Sequence, residues 1–325
     1  MSQTLFHVIS GGTPGLRVDA QVVSAALTPY GCVSVHVSRQ RNLHMPVTRF
    51  WLGLASAFGK RQHLGIFLEN VPSTWLDVLT DSVIIPNQEW LRPATLQAMT
   101  RCSQVWCKTR YAEQIFQEHE FDAHFIGFSS VDRFLPQVAK NYGRFIHIAG
   151  RSELKGTQVV LDVWCRHPEW PTLVVVTRDR YLARYQSQNI RVMQHFVAEA
   201  ALNILMNSAG VHVCPSEAEG FGHYINEALS TQAVVLTTDA PPMNELVDPA
   251  FGLLAKFKSR SVQGFGERFH VDPASLEERI ELILDMKDEV KAAMGVLARK
   301  AFLAKRKSFE AAIVAAAAAW AGPRD

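Results

Sequence analysis

Between residues 145 and 237 the chain repeats one pattern: a short apolar run, rich in β-branched residues, then a stretch that suits a helix. The runs lie at 145–148, 173–177, 190–193, 211–214 and 233–237, and helix-compatible segments stand at 200–209, 224–230 and 241–247. Apolar runs this short fit strands buried on both faces, as in parallel sheets. Parallel neighbours need a crossover, usually a helix. The alternation therefore predicts a doubly wound α/β domain and excludes a helical bundle or an all-β sandwich. At 325 residues, 48% of them apolar, the chain has the length and core material for two such domains.

One strand-to-helix junction carries chemistry. After the run 211–214 come Pro215, Ser216 and Glu219, then Gly220, Phe221 and Gly222, and Glu227 eight positions past the first carboxylate. Loops at the carboxyl ends of parallel strands are where open α/β sheets bind ligands. Glycines let a ligand approach the backbone, and the helix N-terminus offers unpaired N–H groups to anionic oxygens. Two carboxylates accept hydrogen bonds from hydroxyls. Anion plus hydroxyls is the combination a nucleotide-sugar presents. A second junction agrees: after 145–148 come Gly150, Arg151, Lys155 and Gly156. Arg offers phosphate a planar fork and Lys a compact charge.

The first junction resembles the Glu-x7-Glu motif of GT-B-fold retaining glycosyltransferases of family 4 (glycosyltransferase group 1). The second resembles that family's Gly-Arg-x4-Lys-Gly element, with one residue fewer between Arg151 and Lys155. The similarity covers roughly 145–257. It implies two Rossmann-like doubly wound domains facing each other across a cleft. It further implies that Glu219 contacts the donor sugar, that Glu227 holds the ribose hydroxyls, and that the Gly220, Phe221 and Gly222 backbone lies against the donor. By the same resemblance Arg151 and Lys155, with Gly156, are expected to grip the diphosphate. His195 and Phe196 occupy the position that borders the base; a packed histidine is the alternative for His195. Two departures stand out: Thr231 replaces a usual glycine, and 239–242 replaces a glycine-rich stretch near the sugar. Sugar preference therefore does not carry over from the family.

The first half is less explicit. Strand-like runs at 4–9, 32–37, 64–68 and 82–85 surround a helical stretch at 18–27. The turn after the first run holds Gly11, Gly12 and Gly15; Gly12 is a candidate for approach to the donor phosphates, against the alternative of a plain turn. This is no P-loop, because no Lys-Ser/Thr pair follows. Glu69, Asn87 and Glu89 sit at predicted strand tips and are acceptor-side candidates, with helix capping the alternative for the two acids. The family often has a His at a comparable tip; none stands here. From 20 to 68 there is no Asp or Glu, while Arg39, Arg41, Arg49, Lys60 and Arg61 alternate with Phe50, Trp51 and Phe58. Arg39, Arg41 and Trp51 are accordingly acceptor-side candidates. Cations among aromatics suit nucleic acid or an anionic membrane surface; a solvated basic helix face is the alternative.

The expected domains are 1–140, an acceptor-binding Rossmann-like domain, and 141–325, a nucleotide-sugar domain whose C-terminal helix is a candidate to cross back. Net charge is only +2, so a basic patch is local. Five cysteines without zinc spacing suggest reduced thiols and a cytoplasmic setting, with peripheral membrane association left open. No apolar stretch approaches the ~20 residues a membrane span needs. The expected activity is retaining, metal-independent transfer from a UDP- or GDP-sugar, with no cofactor, to a glycan, lipid or small-molecule hydroxyl. Transfer to a hydroxymethylated base in DNA is the first alternative, and a non-catalytic sugar-binding protein the second.

Overall fold

The computed structural model describes residues 4–37, 62–194 and 197–322. They form two compact units. The first comprises residues up to Ser130 with 264–266 and 305 onward; the second comprises 131–263 and 267–304. Each is built on one six-stranded parallel sheet with helical crossovers, so both are Rossmann-like, as expected of the GT-B class.

In the first unit the strands are β1 (Leu5–Ser10), β2 (Cys32–Val37), β3 (His63–Leu68), β4 (Asp81–Ile85), β5 (Gln104–Cys107) and β6 (Ala123–Phe125), in the order β2-β1-β3-β4-β5-β6. The helix Pro14–Leu27 links β1 to β2; it starts on a Thr13 cap, whose hydroxyl accepts from Leu16 N, with Pro14 at the first turn. The chain then returns to the other side of β1 and runs outward through β6. The sheet therefore reverses direction between β1 and β3. Ile9, Phe67, Ile84, Val105 and Phe116 form a core on one face. The end of the helix Asp288–Ala321 belongs to this unit: Phe309 packs on Phe128 with centroids 4.9 Å apart, and Trp320 Nε1 donates to Asp81 Oδ2 at 2.6 Å.

The second sheet holds β7 (Asn141–Gly150), β8 (Leu173–Thr177), β9 (Ile190–Met193), β10 (Ala209–Cys214), β11 (Val234–Thr238) and β12 (Gly252–Ala255), ordered β12-β11-β10-β7-β8-β9. Here the direction reverses between β10 and β7. The helices Thr157–Cys165 and Pro273–Asp285 cover one face, burying Val160, Leu161, Trp164, Leu276 and Ile280 against Phe145, Leu173, Val175, Val211 and Leu236. β13 (Phe257–Gln263) and β14 (Gly266–Val271) form a separate two-stranded sheet that the apolar pattern does not announce, since β13 is exposed along most of its length. No helix among the described residues is long and apolar enough to cross a membrane.

Candidate active site

A sheet that reverses direction leaves a crevice at the carboxyl ends of the two strands flanking the reversal. In the second unit those strands are β7 and β10, and the loops carrying Lys155 and Glu219 follow them directly. The structure brings these loops together. β7 ends on Gly150 at φ +60, a left-handed turn that glycine adopts at little cost. One short turn follows, Glu153–Lys155, capped by the Ser152 hydroxyl, which accepts from Leu154 N at 3.2 Å. Gly156, at φ +65, then opens the helix Thr157–Cys165. A Cβ on Gly156 would lie 2.3 Å from the Pro215 carbonyl oxygen, so the two loops touch backbone to backbone. Glu217 N donates to Leu154 O at 2.8 Å, joining them again.

This packing places Lys155 on Glu219: the ammonium donates to the carboxylate Oε1 and forms a mostly buried ion pair. The same Oε1 accepts from Ser216 Oγ, which is 2.7 Å from the Tyr224 hydroxyl. The Lys155 ammonium also lies 3.8 Å from the centroid of the Tyr224 ring. Burial is the main cause of the raised Tyr224 pKa, so its hydroxyl stays protonated and polar. Below this cluster His147, fully buried on β7, is 2.7 Å from Val213 O through Nδ1 and 2.8 Å from Thr157 Oγ1 through Nε2. A carbonyl can only accept, so Nδ1 carries the proton and Nε2 accepts from the threonine. Burial pushes His147 down to about 4, with nearby Lys155 adding to the depression and the Val213 carbonyl opposing it. The imidazole is thus a neutral strut between β7, β10 and the helix N-terminus.

Gly222 precedes the helix His223–Ser230 at φ +100, and Gly220 and Phe221 are buried beside it. Glu227, one turn into that helix, accepts from Arg133 Nη2 at 3.2 Å; Arg133 Nη1 reaches Glu199 Oε1 at 2.6 Å. Arg151 is exposed and forms no ion pair among the described residues. Glu217, buried under the loop, accepts from Arg268 Nε at 2.8 Å and ties the loop to β14. Ser216, Tyr224, His147, Arg133 and the Glu217–Arg268 pair are not among the expected site residues. The first two lie inside the Glu-x7-Glu segment or at its edge, but only their contacts with Lys155 and Glu219 reveal a role.

The first unit gathers another polar chain at the carboxyl ends of β3, β4 and β5. Glu69, at φ +68, accepts from Asn87 Nδ2 at 2.8 Å. Asn87 Oδ1 accepts from Lys108 Nζ at 2.9 Å, and Lys108 forms a buried 2.6 Å ion pair with Asp19. Glu69 and Asn87 are therefore linked, and Lys108 and Asp19 join them without sequence warning. Glu89 is buried in the turn Gln88–Trp90. Gly12 lies in the exposed loop after β1, with open space where a Cβ would stand. Arg39, Arg41, Trp51, His195 and Phe196 fall outside the described residues, as does most of the basic segment 39–63.

The described residues contain one group of three potential metal ligands, His167, Glu277 and Glu281, away from these loops on the helix Pro273–Asp285 and the turn facing it. Glu277 there is already paired with Arg166 and with His167, the latter at 2.7 Å.

A family model described as "Glycosyl transferases group 1" matches residues 128–300, more than half of the 325-residue chain. Solved structures that share the fold across nearly the whole chain are themselves diverse. HepE of Anabaena in complex with UDP and glucose has a TM-score of 0.68 at 16% identity, covering 98% of this chain and 99% of that one. The sucrose-phosphate synthase of Thermosynechococcus elongatus has a TM-score of 0.72 at 13% identity, covering 98% of both chains. A structure described as "Trehalose-6-phosphate from E. coli bound with UDP-2-fluoro glucose" has a TM-score of 0.66 at 8% identity, covering 96% and 98%. No curated protein sequence matches.

Proposed function

The chain belongs to the group 1 glycosyl transferases, and on that premise we propose that it moves a sugar, with retention of anomeric configuration, from a nucleotide-diphosphate sugar to an acceptor hydroxyl. The observation that carries this reading is the meeting of Lys155 and Glu219 at the switch point of the second sheet, between two glycine turns. Lys155, the exposed Arg151 and the N-terminus of the helix His223–Ser230 supply positive charge where the diphosphate leaves. Glu219 accepts hydrogen bonds from the sugar hydroxyls and orients the ring. Glu227, steadied by Arg133, receives the ribose hydroxyls. The bond from the anomeric carbon to the diphosphate oxygen breaks as the ring gains oxocarbenium character. The acceptor oxygen bonds on the same face, and its proton passes to the departing phosphate oxygen. Charge balance at the leaving group comes from the protein cations, so the reaction proceeds without a metal. The first unit takes the acceptor, with Glu69 and Asn87 at its strand ends. UDP is the favoured nucleotide, because structures of this fold hold UDP or UDP-sugars.

The test is nucleotide diphosphate release across UDP-, GDP- and ADP-sugars, followed by assignment of the product anomer by NMR with an accepted substrate. Glu219→Ala and Lys155→Ala each lower kcat/KM by roughly 10²–10³, the cost of deleting one preorganised charge contact. Unchanged turnover in both variants would overturn the site. Donor binding without any release would reassign the chain to sugar binding.

A further inference from the structure

The second unit contains a cavity of about 360 Å³ near the amino-terminal ends of β7, β8 and β9, opposite the strand ends that carry Gly150 and Gly156. The two-residue period of a strand builds it. Phe145 pairs with Leu173 and Leu173 with Ile190, and these side chains enter the large core. Their neighbours therefore turn to the other face. Arg144 on β7, Thr172 just before β8 and Arg191 on β9 form a polar rim; Val174, Met193 and Leu205 form an apolar floor. Leu205 comes from the helix Glu199–Ser208, which covers part of this face.

Arg144 and Arg191 stand one strand apart on either side of β8 and two residues apart in register, with backbones about 12 Å from each other at ordinary strand spacing and rise. Both side chains line the same cavity, and chains of this length can reach an anion held in it. Arg144 donates to Ser208 Oγ at 3.1 Å, and neither guanidinium forms an ion pair among the described residues. Two unpaired like charges beside an apolar floor repel each other, and one anion held between them relieves that repulsion. Planar guanidiniums suit phosphate oxygens, which they bind through paired hydrogen bonds. The volume lies within the range of small-molecule pockets, which combine an apolar lining with a few converging polar groups.

We propose that this cavity is a second ligand site, separate from the sugar-donor loops, that binds a phosphate monoester carrying a short alkyl or aryl body. The phosphate lies between Arg144 and Arg191 with Thr172 as a further donor, and the apolar body covers Val174, Met193 and Leu205. The same headgroup chemistry could come from a free metabolite or from a membrane lipid.

The experiment is calorimetric titration of the full chain with octyl phosphate below its micelle concentration, with and without saturating UDP. One molar equivalent binds, and UDP leaves the affinity unchanged. R144Q and R191Q each weaken binding, and the double variant weakens it at least tenfold. L205W keeps both cations but fills the cavity, and loses binding to a similar degree. Thermal unfolding of each variant shows that the fold is intact. Absence of binding to the unaltered protein, undiminished binding in R144Q/R191Q, or displacement by UDP would each overturn the proposal. Sedimentation with phosphatidylcholine vesicles containing phosphatidic acid identifies the source. Retention that the double variant loses assigns a lipid phosphate, and octyl phosphate binding without vesicle retention assigns a soluble one.

Discussion

Gly156 shows how much one residue decides. Its φ of +65 disfavours any L side chain, and a Cβ would meet the Pro215 carbonyl at 2.3 Å. Gly156→Ala is expected to cost about 2 kcal/mol or more, from strain and from separation of the two loops, and to weaken donor binding; urea unfolding and a donor titration check both. Gly12 is the contrast: a Cβ there would meet nothing within 4 Å, and its φ is not positive. Gly12→Ala should leave stability within about 0.5 kcal/mol, so a drop in turnover there would mean that donor phosphate approaches this backbone. Tyr224→Phe removes the hydroxyl held by Ser216 while keeping the ring under Lys155. Stability should fall by about 1 kcal/mol, and donor KM should rise more than kcat falls, as steady-state kinetics would show. Buried imidazoles set the acid limit. Burial lowers His147 to about 4, and it lowers His7, whose neighbours His36 and His63 lower it further, to about 3. His212 is held near 3 in the same way, the Met206 carbonyl opposing. Unfolded, each returns to the ordinary histidine value of 6.5. Between the two values the unfolded chain binds the extra proton. Stability is therefore full above about 6.5 and is lost as pH falls toward 3–4, with each group contributing a slope of up to ~1.4 kcal/mol per pH unit. Urea unfolding at pH 7, 6 and 5 measures this, and a flat profile would contradict it.

Elements differ in how plainly the sequence announces them. β8, β9 and β10 are short, mostly apolar runs rich in β-branched residues, and that pattern places them at nearly their observed bounds. β7 is longer than its apolar run because its first residues, from Asn141, are polar and lie at the exposed end of the strand. β5 and β6 have no legible signal: four and three residues carry too little periodicity to stand above background. The β13–β14 pair is equally silent, because an exposed strand has no apolar face to read. Its turn nevertheless meets the first unit's framework. Phe265 N donates to Gln88 O at 2.8 Å, and Gly264, at φ +59, would bring a Cβ within 2.6 Å of the Gln88 and Glu89 carbonyls. Gly264→Ala should lower the urea midpoint as clearly as a core truncation does, although the residue lies in no core.

Taken whole, the molecule threads one chain through its two units in an interleaved way: residues 264–266 and 305 onward return to the first. Ending the chain at residue 304 would strip Phe309, Ile313, Ala317 and Trp320 from the first unit, where all but Trp320 are fully or almost fully buried. That truncation should abolish cooperative unfolding of the first unit, readable as loss of near-UV circular dichroism and rapid proteolysis of residues before 130. Apolar period and glycine placement are local properties. They suffice to specify the α/β class, the strands β7 to β11 of the second sheet and the two loops that carry Arg151, Lys155, Glu219 and Glu227, but not β12. Long-range packing had to establish the rest: Lys155 meeting Glu219, His147 bracing both loops, Arg133 steadying Glu227, and Lys108 reaching Asp19. Those contacts join residues 64 to 94 positions apart, and a separation that long is closed by strand order and crossover handedness, which no local pattern encodes.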